Sequence, residues 1–269
     1  MAPLLALPSP LRPGDRVQLV AASSALDTAQ RLLAGLEVLR SWGLEPQGDP
    51  LALVERRWGY LAGRDAERLA DLSPRAAACG SEPGLLACVR GGWGAARLLE
   101  QRPRAEGRWL LGFSDVTALL LDRVAQGRSG GVHGPLLTTL AAEPDWSRER
   151  LRAILFGEPL ADLEGEAWCG GCAEGPLLVA NLTVASHLLG TPHMPALAGA
   201  ILVLEDVGEE PYRIERMLTH WRLCGALQQL AGLGFGRFTG CEGEPDADED
   251  PARRFSLEQV LRSRSTCSR

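Results

Sequence analysis

The chain has 269 residues, 45% of them hydrophobic and 23% charged, with a formal charge of −6 at pH 7. That length accommodates one large or two modest domains, and an acidic balance with arginines interleaved among acids argues against nucleic acid as a partner. No apolar run approaches the ~20 residues of a bilayer span, the opening MAPLLALPSP lacks the basic stretch of a signal peptide, and seven scattered cysteines suit reduced thiols in a cytoplasm better than a disulfide framework.

The first element is an apolar run of strand length, DRVQLVAASS, following the Pro13-Gly14 break. Asp27 to Gln30 then has capping-box spacing ahead of RLLAGLEVLRSW, whose periodicity predicts a helix that Gly43 stops. LLACV at 85–89 and WLLG at 109–112 read as short, continuously apolar strands, each followed by glycine and a helical segment. Repeated strand, turn and helix imply a parallel sheet covered on both faces. Such sheets place their sites outside the carboxyl ends of the strands, where RGGWG at Arg90–Gly94 and GFSD at Gly112–Asp115 both fall.

From about Glu143 to Gly175 the pattern loosens into prolines, charges and glycines, with one short helix. The expected organisation is a nucleophile domain over 1–142, a connection over 143–175 and a smaller α/β domain over 176–269. Within the connection, CGGC at Cys169–Cys172 has the spacing of half a zinc site or of a redox motif, but no second pair exists, and it reads as a glycine-rich loop with neither metal nor redox use. In the last part the strand Ala200–Leu204 ends in Glu205 and Asp206 and precedes a helix from about Tyr212 to Leu223.

Seven blocks stand in order along the chain: LRPGDRVQLVAASS, LAGRDAERLADL, RGGWGAARLL, LLGFSDVTALLL, GVHGP, VANLTVASHLLGTP and LEDVGEEPYRIERML. Together they resemble the LD-carboxypeptidases of serine peptidase family S66, which includes the microcin C immunity peptidases. The resemblance implies a flavodoxin-like parallel-sheet first domain and a Ser-Glu-His triad with Ser114 as nucleophile and Glu205 as the acid that orients the histidine. It implies an oxyanion hole from the backbone amides of Gly92 and Asp115, with Trp93, His133 and Asn181 at the cleft. The implied substrate is a cytoplasmic muropeptide or small peptide losing a terminal D-alanine in cell-wall recycling. No metal, cofactor, nucleic acid or membrane is implied, and a homodimer stays open.

The residues support that assignment by themselves. A serine hydroxyl needs a positioned base, and a strand-to-helix turn exposes its Oγ beside helix-terminal N–H groups that can receive the growing oxyanion. The bland reading of Ser114 is a helix N-cap, with Asp115 a first-turn acid. Of the four histidines, His187 and His220 fall on helical segments, and none lies in the family's late block, Gly-His before Leu-Pro-Leu-Gly. After FSLEQVL the sequence turns to RSRSTCSR, which cannot continue a buried strand, so the second domain is read as truncated and turnover as impaired. An amidase of the immunity type and a catalytically dead peptide-binding homologue are the alternatives.

Overall fold

The structure is a computed structural model, described here over residues 6–73, 82–101, 107–243 and 255–265. It divides into two compact units, Met1–Asp162 and Leu163–Arg269.

In the first unit the chain runs β1 (Arg16–Val20), α1 (Gln30–Ser41), β2 (Glu45–Gln47), α2 (Pro50–Glu55), α3 (Asp65–Leu72), β3 (Leu85–Cys88), α4 (Ala95–Leu98), β4 (Trp109–Gly112), α5 (Thr117–Ala125), β5 (Gly131–His133), α6 (Leu137–Leu140) and α7 (Asp145–Phe156). The five strands are parallel in the order β2-β1-β3-β4-β5. This is the flavodoxin-like doubly wound order, whose direction reverses between β1 and β3. All four residues of β3 and of β4 are buried, as expected for strands covered on both faces.

The core is built largely of leucine. Leu32, Leu36 and Leu39 of α1 pack with Leu85, Leu111 and Leu137, and each leucine so buried stabilises the fold by about 2 kcal/mol. The helix of the expected connection, α7, adds Leu151 and Leu155 to this same core. It ends at Gly157 in the left-handed conformation, where the helix carbonyls are closed off. The capping box expected at Asp27–Gln30 does not form: Ala29 precedes α1 with no side-chain cap. Asp27 instead pairs with Arg57 at 3.0 Å and Arg90 at 3.5 Å.

The second unit contains β6 (Leu177–Asn181), α8 (Leu182–Leu188), β7 (Ile201–Val207), α9 (Pro211–Leu223), β8 (Gly232–Thr239) and α10 (Leu257–Ser265). Its sheet is parallel in the order β6-β7-β8. Strand β7 runs on through Glu205 and Asp206 to Val207, with an irregularity between Leu204 and Asp206, so both acids lie within the strand and not after it. Trp221 of α9 is fully buried and its indole N–H donates to Ser186 Oγ of α8 at 2.8 Å. Among the described residues no helix is long and apolar enough to cross a membrane.

Candidate active site

Strand β4 hands its chain to α5 through a sharp corner. Phe113 is extended, and Ser114 then takes φ +59, the one non-glycine residue with positive φ among those described. A side chain held there costs of order 1–3 kcal/mol, and such strain persists only where surrounding structure enforces it. Ser114 opens a single 3₁₀ turn, Ser114–Val116, and the residue in the cap position is Phe113, with no side-chain cap bond. Ser114 is therefore not the N-cap but the first residue of the turn, at the strand-to-helix corner.

The turn after β3 passes directly beside this corner. A methyl group added at Gly91 would stand 3.0 Å from both Cβ and Oγ of Ser114, so a side chain there would push on the serine. Gly92 has φ +107, and a side chain on it would strike Ser24 Oγ at 2.4 Å. Ser24, from the segment after β1, accepts from the Trp93 N–H at 3.0 Å and donates its own N–H to the Gly91 carbonyl at 3.3 Å. Three loops at one sheet edge are thus interlocked around Ser114, on both sides of the reversal in strand order.

Buried polar side chains hold those loops. Asp115 accepts from the Ala95 N–H, the first of α4, at 2.8 Å. Burial raises its carboxyl pKa, opposed by the neighbouring Ser23 hydroxyl, by the Ala95 and Gly94 N–H groups and by the charge of Arg68. Arg68 of α3 is fully buried and donates to the Ala22 carbonyl, to the Gly94 carbonyl at 2.8 Å and to Asp65 at 2.5 Å. Asp71 accepts from the Ala21 N–H at 3.0 Å and from both terminal nitrogens of Arg56. Salt bridges usually contribute little in water, but a guanidinium buried against two carbonyls would cost several kcal/mol if stripped of its partners.

His133 closes the same edge. It ends β5, pairs in register with Gly112 of β4, and lies edge-on to Phe113 with ring centroids 6.2 Å apart. Trp93, 49% exposed, stands at the surface beside Ser24. The expected residues Ser114, Gly92, Asp115, Trp93 and His133 therefore gather at the carboxyl edge of one sheet. Ser24, Arg68 and Asp71 complete that edge; the sequence marks them only by the AASS at a strand's end and the charged LAGRDAERLADL helix.

The other two expected residues, Asn181 and Glu205, belong to the second unit, opposite each other in the β6–β7 register. Asn181 caps α8, accepting from the Val184 N–H at 3.0 Å, and its amide donates to Asp206 at 3.0 Å. Asp206 also accepts from the Thr183 N–H at 2.9 Å and hydroxyl at 2.8 Å. Its neighbour Glu205 faces the other side of the sheet, where Gly236 of β8 lies beside its Cβ.

Two family models match the sequence: the LD-carboxypeptidase N-terminal domain over residues 17–134 and the LD-carboxypeptidase C-terminal domain over 174–268. A relative from Synechocystis sp. that carries a provisional carboxypeptidase name is 48% identical over 246 residues, covering 87% of this chain and 77% of its own. The murein tetrapeptide carboxypeptidase of Pseudomonas aeruginosa is 36% identical over 247 residues, covering 84% and 77%. Among solved structures, the microcin C7 self-immunity protein MccF superimposes with a TM-score of 0.77 at 20% identity, over 97% of this chain and 86% of that one. The muramoyltetrapeptide carboxypeptidase of Oxalobacter formigenes does so with 0.74 at 24% identity, over 91% and 82%.

Proposed function

The chain belongs to the LD-carboxypeptidase family, peptidase family S66, and from that premise we propose that it is a serine peptidase that releases the terminal D-alanine of a cytoplasmic muropeptide during cell-wall recycling. The observation that carries this reading is Ser114, held at φ +59 on a strand-to-helix corner against the bare backbone of Gly91. Ser114 Oγ attacks the carbonyl of the scissile bond as its proton passes to an imidazole. The backbone amides of Gly92 and Asp115 receive the charge that grows on the carbonyl oxygen. Glu205 takes the role of the acid that orients the imidazole, and collapse of the tetrahedral adduct expels D-alanine and leaves an acyl-serine for water to hydrolyse.

The test is release of free D-alanine from a muramoyl tetrapeptide, run beside an aminoacyl sulfamoyl nucleotide and repeated with Ser114→Ala and His133→Ala. Because no histidine stands in the family's late block, slow D-alanine release by the parent chain, lost in Ser114→Ala, is the expected result. Cleavage of the nucleotide substrate alone would replace the muropeptide with an immunity-type amidase activity. Tight binding of the tetrapeptide without release would make the chain a peptide-binding homologue. If the parent is active and His133→Ala is not, His133 is the base.

A further inference from the structure

The loop between α7 and β6 carries a motif that the proposed reaction leaves unused, CGGC at residues 169–172. Cys169 and Cys172 are both exposed, and the structure holds them as thiols. The flanks of the motif are tied to the second unit. On the amino side Arg262 of α10 lies over the Trp168 ring at 4.3 Å and pairs with Glu166 at 2.8 Å, and Trp168 packs 5.8 Å from Phe235 of β8. On the carboxyl side Ala173 lies against the start of β8, close enough that a methyl added at Gly232 would meet its Cβ at 3.8 Å. Between these anchors Gly170 and Gly171 stand in open space, and Gly171 has φ +139. The motif borders a groove of about 730 Å³ lined by Trp168, Phe235, Arg222, Gln228 and Arg264.

We propose that Cys169 and Cys172 form a dithiol modification site that closes to an intraloop disulfide by exchange with a low-molecular-weight disulfide. Three virtual bonds of ~3.8 Å already hold the two Cα atoms within about 11 Å. Anchored flanks with two unhindered glycines between them let that separation settle in the ~4.4–6.8 Å range a disulfide requires. So short a ring also has little closure entropy to overcome. Among the described residues no group of three or more His, Cys, Asp and Glu could hold a metal ion, so chemistry needing only two sulfurs is what this pair satisfies. The buried Cys88 and Cys241 are poor competitors, because burial raises both thiols and suppresses the reactive thiolate.

In the first step one cysteine thiolate attacks a sulfur of the external disulfide, expelling one external thiolate and leaving a mixed disulfide. The second cysteine thiolate then attacks the protein-side sulfur and expels the other half. Two protein S–H bonds are lost and one S–S bond forms. The two electrons pass to the external disulfide, which leaves as two thiols. Closure draws Cys169 and Cys172 together at the margin of the groove beside Trp168.

The experiment uses the full chain with Cys224 and the cysteines outside the described residues, Cys79 and Cys267, changed to serine. It is incubated with oxidised glutathione, alkylated, and analysed by peptide mass. The expected product is a 169–172 peptide lighter by two hydrogens, with neither alkyl group nor glutathione, while Cys172→Ser in the same background stops at a glutathione adduct on Cys169. Alkylation of both cysteines at a glutathione disulfide concentration that modifies Cys172→Ser would overturn the proposal, as would a stable adduct on both.

Discussion

The carboxyl edges of the two sheets use one device in two settings. In the first unit, Ser114 is followed by Asp115, whose carboxylate accepts from the Ala95 N–H that starts α4, the helix after the neighbouring strand β3. In the second, Glu205 is followed by Asp206, whose carboxylate accepts from the Thr183 N–H near the start of α8, the helix after the neighbouring strand β6. At both edges the aspartate serves as a cap supplied from another strand, satisfying helix-terminal donors that local residues leave open. Both aspartates are buried, and the settings differ in their partners. Asp115 sits among Arg68, Ser23 and three interlocked loops, whereas Asp206 works with Asn181, Thr183 and the N–H of Val207 next to it. In each pair the second residue is committed to holding backbone, while the proposed function gives the chemistry to the first.

The division of labour within each pair can be broken by exchanging the residues one at a time. Ser114→Ala should abolish whatever D-alanine release the parent chain shows, a loss that reaches about a million-fold where the base is in place, with the melting temperature barely changed, since alanine keeps the Cβ that is strained at this φ. Glu205→Gln should lower turnover by roughly ten-thousand-fold, as neutralising the orienting acid of a triad does, again with folding intact by circular dichroism. A comparable activity loss accompanied by unfolding would assign Glu205 to structure and dissolve the parallel between the two pairs.

The aspartates should behave in the opposite sense. Asp206→Ala should cost about 3 kcal/mol in denaturant unfolding of its unit, because it strands buried donors on Asn181 and Thr183. Asp115→Ala should cost less, about 2 kcal/mol, since the variant also sheds the desolvation of a buried carboxylate. Equal losses would mean that the unfavourable ionisation of the buried Asp115 contributes nothing.

A subtler change sharpens the first edge alone. Asp115 binds its proton more readily folded than unfolded, because burial raises its pKa. Its ionisation therefore opposes folding, and stability should fall as pH rises from the ordinary carboxylate range through the raised folded value. Asp115→Asn should flatten that segment of the stability profile by up to about 1 kcal/mol for each unit of upward shift. A segment unchanged in the variant would remove Asp115 as its source.

Much of this was legible in the amino-acid order because the strands of the first sheet are buried on both faces. Leu85–Cys88 and Trp109–Gly112 announce themselves as unbroken apolar runs, and the GFSD corner is visible as a glycine and a serine between two of them. What was not legible depends on partners distant in sequence. Asp27 has cap spacing but is drawn away by Arg57 and Arg90. Glu205 and Asp206 look like the start of a loop, but pairing with β6 and β8 keeps them in the strand. Arg68 reads as a solvent-facing charge on a helix and is instead fully buried against two backbone carbonyls. The strained φ of Ser114 has no signature of its own, since nothing in the residue type distinguishes it from an ordinary helix cap.

The caps borrowed from other strands also impose an order in time. Ala95 waits for a residue 20 positions downstream and Thr183 for one 23 positions downstream. Helix α4 has four residues and α8 seven, well short of the ~12–15 that persist alone in water. As the chain is synthesised, RGGWG therefore emerges with its Ser24 and Arg68 partners already made, but the start of α4 lacks its Asp115 cap until the corner after β4 follows. The cap of α4 and the strained corner at Ser114 thus share one residue pair, Ser114 and Asp115, and are completed by the same stretch of chain.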